Sequence, residues 1–211
     1  MLTETKHIEL NKAKWDKWAD TLDDKGWRNN FLRQCQRDVI SLMDLRENIR
    51  ILDIGCGTGY ALRLAAKLID GNGKFFGVDL SEKMIEKADL NFEGNENFQF
   101  IRADAESIPL DGGQFDFVIC TNSFHHYLHP QKVMEEMKRL LAAGGKLYIL
   151  DPTMDSTFLK IIGRLMHGME KSMVKLYSTE EFKNMMIGTG LKYVGMVKVK
   201  NHQKVHIAEK I

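Results

Sequence analysis

The chain has 211 residues, of which 44% are apolar and 28% are charged, and 30 Lys and Arg against 29 Asp and Glu give a net charge of +1. This length predicts a single domain, and the composition excludes a disordered chain, which needs few apolar residues and a large net charge. The net charge near zero argues against nucleic acid as an obligate partner, because no excess of positive charge attracts phosphates.

The three cysteines, Cys35, Cys56 and Cys120, are widely spaced and form no C-x-x-C pair. We therefore expect neither a disulfide framework nor a zinc site. The first ten residues lack the apolar segment of a secretion signal. No apolar run approaches the ~18 residues that span a bilayer. These features predict a soluble, cytoplasmic protein without a membrane span.

Two helices are predicted ahead of the first strand, because apolar residues recur there at helical spacing. The first stripe contains Trp15, Trp18, Ala19 and Leu22, and the second contains Phe31, Leu32, Cys35, Val39, Leu42 and Met43.

From residue 49 onward, short apolar runs alternate with helical stripes. The predicted strands are Ile49–Ile54, Lys74–Val78, Phe98–Ile101, Phe115–Cys120 and Lys146–Leu150. The stripes between them are Ala61, Leu64, Ala65 and Leu68; Met84, Ile85, Ala88 and Phe92; and Val133, Met134, Met137, Leu140 and Leu141. This alternation is typical of βαβ crossovers and a largely parallel sheet.

Capping residues support these elements. Ser81 is predicted to cap one helix, Pro130 to lie in the first turn of another, and Gly144–Gly145 to end that helix before the fifth strand.

The residues after the fifth strand have a different character. Residues 153–176 are rich in methionine and carry an apolar helical face interrupted by Gly163 and Gly168, which predicts either a lid or a core-packing helix. Ser178–Glu181 then forms a capping box that opens a short helix. Two alternating segments, Tyr193–Lys200 and Lys204–Ile211, predict an antiparallel hairpin.

The most informative segment is Ile51–Gly59, where a strand runs directly into a turn with alternating Gly55, Gly57 and Gly59. Alternating glycines let a ligand approach the backbone, and the helix N-terminus that follows attracts anionic groups. Asp79 ends the next strand, about 20 residues farther on, where a carboxylate can bind both ribose hydroxyls. The segment therefore predicts a nucleotide-like ligand.

The spacing of the glycines separates two cofactor classes. A dinucleotide fingerprint needs Gly or Ala at the sixth position of G-x-G-x-x-G. Counting from Gly55, that position is Tyr60, and counting from Gly57, it is Leu62. Asp53–Gly59 instead resembles the first motif of class I S-adenosylmethionine-dependent methyltransferases, an acidic residue followed by x-G-x-G-x-G.

Further segments resemble the same family in chain order, in particular its small-molecule branch, which includes the ubiquinone and menaquinone methyltransferases. They are Val78–Ser81, Ala103–Leu110, Phe115–Asn122 and Leu141–Leu147. The resemblance implies a Rossmann-like, doubly wound α/β fold. Its sheet would be mostly parallel and seven-stranded, with an antiparallel last strand and helices on both faces.

The resemblance also implies a division of the chain within a single methyltransferase domain over residues 1–211. Residues 1–47 would form N-terminal cap helices and residues 48–152 the cofactor-binding core. Residues 153–176 would form a lid insertion, and residues 177–211 a helix and hairpin.

Ten residues are implied to bind S-adenosylmethionine. Asp79 would hold the ribose hydroxyls, and Leu80 would pack on the adenine. Asp104 would accept a hydrogen bond from the adenine amino group, while the backbone N–H of Ala105 would face a ring nitrogen. The remaining six are Asp53, Gly55, Gly57, Gly59, Thr121 and Asn122, the last two beside the methionine moiety.

Three histidines follow the fourth strand, at positions 125, 126 and 129. They could bind metal, supply a general base or only order the loop, and His126 is the candidate for catalysis. Cys120 is expected to be an inert buried thiol, since the Pro-Cys pair of cytosine methyltransferases is missing. No metal site is predicted.

These observations predict methyl transfer by in-line displacement to a small, apolar or aromatic acceptor, with release of S-adenosylhomocysteine. The partner is therefore a small-molecule substrate. Two alternatives remain, a non-catalytic S-adenosylmethionine-binding or regulatory domain and an NAD(P)-dependent reductase. The sequence carries no signature of a particular acceptor or oligomeric state.

Overall fold

A computed structural model describes residues 4–24, 26–156, 173–200 and 202–211. Two helices precede the first strand, and strands and helices then alternate. The elements are α1 (Glu4–Ala19), α2 (Trp27–Ser41), β1 (Ile49–Ile54), α3 (Tyr60–Leu68), β2 (Gly73–Asp79), α4 (Glu82–Asn91), β3 (Phe98–Arg102), β4 (Phe115–Thr121), a 3₁₀ turn (Phe124–His126), α5 (Pro130–Leu140), β5 (Leu141–Pro152), α6 (Thr179–Gly188), β6 (Lys192–Lys198) and β7 (Gln203–Glu209).

The strands form one seven-stranded sheet in the order β3-β2-β1-β4-β5-β7-β6. The pairs among β1 to β5 are parallel, and β7 runs antiparallel to both β5 and β6. This confirms the predicted mostly parallel sheet with an antiparallel last strand. The strand order reverses between β1 and β4, and in open α/β sheets this is where a crevice for ligands forms.

Each face of the sheet has its own apolar core. Ile51 packs in the core that contains Val39 of α2 and Ala65 of α3. Its neighbour Leu52 packs in the opposite core, with Val133 of α5. Because side chains alternate along a strand and both faces are covered, β1 reads as an uninterrupted apolar run.

The predicted N-terminal caps of the helices are confirmed. Ser81 Oγ accepts a hydrogen bond from the Met84 amide at 3.2 Å, and Ser178 and Glu181 complete the capping box of α6. Pro130 is the first residue of α5, where its missing N–H leaves no helical bond unmade.

The predicted end of α5 at Gly144–Gly145 is wrong, because the helix ends at Leu140 and β5 begins at Leu141. The Gly144 amide donates to the Lys210 carbonyl at 2.7 Å, and the Lys210 amide donates to the Gly145 carbonyl at 2.9 Å. These backbone bonds draw the glycine pair into the sheet, where a register shift accommodates the extra residues.

The predicted stripe of α3 is also partly wrong. Leu62 and Ala66 are buried, whereas Leu68 is 65% exposed. The buried face keeps Ala61 and Ala65 of the predicted stripe, extends to Leu62 and Ala66, and leaves out Leu68.

The predicted methionine-rich helix lies mostly outside the described residues, including Gly163 and Gly168. Its C-terminal flank is held by the loop after β4, since the amides of Val174 and Lys175 donate to the His125 carbonyl at 2.9 and 3.3 Å. Among the helices within the described ranges, none combines the length and apolarity needed to cross a membrane.

Candidate functional site

A cavity of about 420 Å³ opens at the carboxyl ends of the parallel strands, between the strand tips and helices α1 and α2. Its volume falls within the range of about 300–1,000 Å³ typical of small-molecule sites. Nine of the predicted site residues line it: Gly55, Gly57, Asp79, Leu80, Asp104, Ala105, Thr121, Asn122 and His126. Asp53 and Gly59 do not line it.

The three glycines of the turn have different reasons to be glycine. All three adopt left-handed backbone angles, with φ of +77°, +53° and +83°. A Cβ on Gly55 would lie 2.3 Å from Ser123 Oγ, and one on Gly59 would lie 2.8 Å from the Phe92 ring. A Cβ on Gly57 would meet the end of the flexible Leu22 side chain at 3.1 Å and nothing else closer than 4.0 Å. Packing inside the protein thus requires Gly55 and Gly59, and Gly57 is the glycine that leaves space at the cavity.

Asp79 holds this turn in place. Its Oδ2 accepts a hydrogen bond from the Gly57 amide at 2.9 Å, and its Oδ1 accepts one from the Ser81 amide at 2.9 Å. Burial raises the pKa of Asp79, and these backbone donors oppose the rise. Each carboxylate oxygen has a second lone pair, so Asp79 can still accept hydrogen bonds from a ligand in the cavity.

Asp53 lies behind the turn, 1% exposed. Burial raises its pKa to about 8, and the nearby charge of Asp79 adds to the increase. Neither carboxylate oxygen has a hydrogen-bond partner among the described residues. A buried carboxyl group in this state favours a proton or a nearby cationic group.

The tip of β4 forms the next part of the cavity wall. Thr121 Oγ1 is buried and has no hydrogen-bond partner within the described part of the chain. Asn122 has a left-handed φ of +54°, and its amide is fixed by a bond to the Leu150 carbonyl at 2.8 Å. Strained backbone and unpartnered buried polar atoms are both concentrated at ligand sites in proteins.

The loop after β3 supplies the outer part of the wall. Asp104 is exposed, and its Oδ1 accepts a hydrogen bond from the Glu106 amide at 2.9 Å. Ala105 is buried beside it. We call the residues from the turn, β2, β3 and β4 together the strand-tip wall: Gly55, Gly57, Asp79, Leu80, Asp104, Ala105, Thr121 and Asn122.

Helix α1 forms the facing wall, called here the α1 wall, with His7, Asn11, Trp15 and Trp18. Asn11 Nδ2 lies 2.8 Å from His7 Nε2, and the two indole rings pack edge to face at 5.2 Å. The predicted apolar stripe of this helix contained both tryptophans but not His7 or Asn11. The spacing 7, 11, 15 and 18 is a helical stripe that combines polar and aromatic residues, and it was the available signal.

The three histidines separate in space. His125 Nδ1 lies 2.8 Å from Asp151 Oδ1, and Asp151 is fully buried. His126 is also buried, with its ring edge-on to Trp15 at 5.3 Å. His129 Nδ1 lies 2.7 Å from Glu106 Oε1 and does not line the cavity. Sequence reasoning favoured His126 and missed the pairing of His125 with Asp151, which are 26 residues apart.

Two further features bear on the chemistry. Burial raises the pKa of the Cys120 thiol well above its usual value, which disfavours a thiolate nucleophile. Within the described ranges no group of three or more His, Cys, Asp or Glu residues could hold a metal ion. The expectation of no metal site remains a prediction.

This chain is similar in sequence to proteins already known. Residues 45–202 match the family described as "Methyltransferase domain". The ubiquinone/menaquinone biosynthesis C-methyltransferase UbiE of Ectopseudomonas mendocina is 30% identical over 144 residues, 66% of this chain and 54% of that protein. The uncharacterized methyltransferase YcgJ of Bacillus subtilis is 28% identical over 163 residues, 74% of this chain and 62% of that protein. The chain thus spans between half and two thirds of these two relatives.

Solved structures agree with this result. The crystal structure of YcgJ superposes with a TM-score of 0.69 at 26% identity, covering 78% of this chain and 70% of that one. An S-adenosylmethionine-dependent methyltransferase from Aquifex aeolicus superposes with a TM-score of 0.73 at 23% identity, covering 93% and 98% of the two chains. At that identity the second comparison shows the fold alone.

Proposed function

The chain belongs to the family of S-adenosylmethionine-dependent methyltransferases, and we propose that it transfers a methyl group to a small, largely apolar or aromatic acceptor. One observation supports this most strongly. The glycine turn is tied to Asp79 by the Gly57 amide, at the edge of a cavity of about 420 Å³. This arrangement presents a carboxylate and an open backbone side by side, which suits a ribose joined to an amino acid.

The residues present fit S-adenosylmethionine. Gly57 leaves space at the turn, and the unpartnered Thr121 hydroxyl at the cavity wall needs a hydrogen-bond partner that a ligand can supply. In the proposed arrangement, Asp79, Leu80, Asp104 and Ala105 hold the adenosine end. Gly55, Gly57, Thr121 and Asn122 hold the methionine end, and Asp53 and Gly59 support the turn from behind.

S-adenosylmethionine supplies a methyl group on a sulfonium that is already a good leaving group. The protein then has to orient the two reactants and exclude water. Alignment alone can contribute roughly 7–11 kcal/mol to lowering a barrier. The strand-tip wall has a fixed backbone suited to orientation, and Trp15 and Trp18 of the α1 wall shield the cavity from solvent.

The acceptor class follows from the same wall. Trp15, Trp18 and Leu22 offer flat or apolar surface, which is complementary to an aromatic or aliphatic acceptor. We further propose that α1 moves to admit this acceptor. The sequence prediction extends such a lid to residues 153–176, most of which lie outside the described residues.

Equilibrium binding tests the proposal. Calorimetry should detect S-adenosylmethionine and S-adenosylhomocysteine but not NAD(H), and binding of NAD(H) alone would favour a reductase. Radiolabelled S-adenosylmethionine incubated with the small-molecule fraction of a cell extract should then yield a labelled product. Binding without any product would favour a non-catalytic binding domain. A cytoplasmic location and the absence of nucleic-acid partners remain predictions of the sequence.

A further inference from the structure

The His125–Asp151 pair lies where two neighbouring strands end. His125 belongs to the 3₁₀ turn after β4, and Asp151 lies near the end of β5. The strands are adjacent, with Thr121 paired to Leu150. The histidine side chain is 13% exposed and the aspartate side chain 0% exposed, so water competes little for their 2.8 Å contact.

This contact determines the protonation of the imidazole ring. Burial raises the pKa of Asp151, and the contact with His125 opposes the rise. When Asp151 is ionised its carboxylate accepts, so the Nδ1 atom of a neutral His125 carries the proton that it donates. The Nε2 atom is then unprotonated and can accept a proton. A carboxylate that orients histidine in this way is the recurrent device by which proteins prepare a general base.

The position of the pair connects it with the proposed reaction. His125 lines the cavity. The residue before the 3₁₀ turn, Ser123, packs directly against Gly55, and Ser123 Oγ lies 3.0 Å from the Tyr127 hydroxyl just beyond it. The turn that carries His125 is therefore fastened to the glycine turn, at the end of the cavity proposed for the methionine moiety.

A second histidine–carboxylate pair has its histidine outside the cavity. His129 and Glu106 are 2.7 Å apart, yet the His129 side chain is 38% exposed and does not line the cavity. The two pairs share the same chemistry. In the second pair Glu106 lines the cavity but the histidine does not, and that histidine is more exposed than His125. His129 is therefore a matched control.

We infer that His125, oriented by Asp151, is the general base of the proposed methyltransferase, and that the acceptor is a phenol or enol that must lose a hydroxyl proton to react. This inference rests on the proposed function and narrows its acceptor class. It replaces His126 with His125 as the residue that takes the proton.

The proposed step balances. His125 Nε2 takes the hydroxyl proton and becomes an imidazolium held by Asp151. The electron pair of the oxygen, or of the carbon conjugated with it, forms a bond to the methyl carbon. The bond between that carbon and the sulfonium sulfur breaks, and its electron pair stays on sulfur. The proton later leaves His125 for water.

Of the titratable groups next to the pair, Cys120 and Tyr177 are neutral near pH 7 and Lys175 is paired with Glu181. Burial and the charge of Asp151 raise the pKa of Cys120 well above its usual value and that of Tyr177 to about 12, so both are neutral near pH 7. The His126 ring lies 4.1 Å from the His125 ring, and the Lys175 ammonium pairs with Glu181.

Nuclear magnetic resonance of the full-length protein tests the tautomer without any substrate. Nitrogen-15 spectra of the histidine rings should place the proton of neutral His125 on Nδ1. Asp151→Asn should change the ring nitrogen-15 shifts of His125, since the negatively charged acceptor that faces Nδ1 is removed. His129→Gln should leave the His125 signals unchanged. A neutral His125 with its proton on Nε2 would overturn the inference.

Kinetics test the role. Labelled methyl transfer to the small-molecule fraction of an extract should fall by about 10²–10⁴-fold in His125→Gln, the usual contribution of a general base. The rise of the wild-type rate with pH should disappear in that variant, while S-adenosylhomocysteine affinity stays within about threefold. The rate of methyl transfer should also fall in Asp151→Asn, and it should stay at the wild-type value in His129→Gln.

The outcomes separate the two proposals. Wild-type protein that neither binds S-adenosylmethionine nor yields a labelled product contradicts the proposed function. A wild-type enzyme that yields labelled amines or thioethers, or a His125→Gln variant that keeps its rate, contradicts this inference alone. Labelled phenols, enols or their methyl ethers support it.

Discussion

The two walls of the cavity are built in different ways. In the strand-tip wall, backbone hydrogen bonds hold the turn, including the Gly55 amide to the Val78 carbonyl at 2.8 Å and the Gly57 amide to Asp79 at 2.9 Å. Helix α1 is held by side chains. Ser81 Oγ donates to Asp16 Oδ1 at 2.6 Å, and two exposed ion pairs join α1 and the residue after it to α4. These are Lys12 to Glu82 at 3.5 Å and Asp20 to Lys87 at 3.3 Å.

This difference separates a preorganised wall from one that can be displaced. Backbone bonds to a half-buried carboxylate are costly to break, because each leaves an unpaired polar group. Ion pairs at a surface contribute only about 0–1 kcal/mol each. We therefore expect the strand-tip wall to stay fixed while α1 opens and closes.

The largest expected effect concerns Asp53 behind the strand-tip wall. A carboxyl pKa raised from 3.8 to about 8 means that the folded protein binds this proton more tightly than the unfolded chain. Between about pH 4 and about pH 8 the unfolded chain loses this proton while the folded protein keeps it. The free energy of unfolding therefore falls as pH rises through this window, by up to about 1.4 kcal/mol per pH unit. Asp53→Asn should remove that dependence.

Chemical denaturation at about pH 5 and about pH 8 measures this pH dependence of the free energy of unfolding. The Asp53→Asn variant should gain stability relative to the wild type at the higher pH. An equal difference between the two proteins at both values would show that Asp53 titrates normally. Bound S-adenosylhomocysteine should reduce the wild-type dependence if its amino group lies near this carboxyl.

The next effect concerns Gly57. Valine there has a branched side chain where the cavity needs space, so Gly57→Val should raise the Kd of S-adenosylmethionine by at least about 100-fold, equivalent to about 2.7 kcal/mol. Gly71→Val is the matched control. Gly71 has a similar φ of +75°, and a Cβ added there would meet no atom within 4 Å, so the variant carries the same strain away from the cavity. Equal loss of binding in both variants would mean that backbone strain, and not the loss of cavity space, weakens binding.

Asp79 should have a smaller effect. Hydrogen bonds to a charged group contribute about 1.5–3 kcal/mol, so Asp79→Asn should weaken S-adenosylmethionine binding by roughly 10- to 150-fold. Asp104→Asn, at an exposed position, should weaken it by no more than about tenfold. Calorimetry that ranks the two variants in the opposite order would contradict the assigned roles. The thermal stability of both variants should also be measured, because Asp79 holds the turn as well as the ligand.

The smallest effect is expected at the α1 wall. Lys12→Ala and Lys87→Ala should each lower the unfolding free energy by less than about 1 kcal/mol. Both should nevertheless speed hydrogen exchange in residues 4–19, whereas Lys183→Ala, which removes a surface pair on α6, should not. Ligand binding should slow exchange in that helix. Protection of α1 equal to that of β1, with or without ligand, would contradict the movable wall.

The same contrast explains what the sequence could predict. The strand-tip wall was accessible because its signals are local, namely apolar runs, alternating glycines and an aspartate at or just after the ends of β2 and β3. The positions of α1 and of the segment after it depend on pairs remote in sequence. Examples are Ser81 Oγ to Asp16 Oδ1 at 2.6 Å and Thr58 Oγ1 to Asp23 Oδ1 at 3.0 Å. Polar pairs of that kind leave no periodic pattern.

The end of α5 was mispredicted for a related reason. Gly144–Gly145 resembled a helix stop, but backbone bonds to Lys210 extend β5 through it. The pairing of His125 with Asp151 was likewise hidden, because it arises only once β4 and β5 lie side by side. Local patterns therefore predicted the elements, and contacts between elements determined the rest.

A crystal structure with S-adenosylhomocysteine bound would show whether the strand-tip wall holds the cofactor as proposed. The adenosine should lie between Asp79 and Asp104, and the sulfur should lie toward Thr121 and His125, with α1 over the remaining space. S-adenosylhomocysteine bound outside this cavity, or with its adenine at the His125 end, would contradict the account.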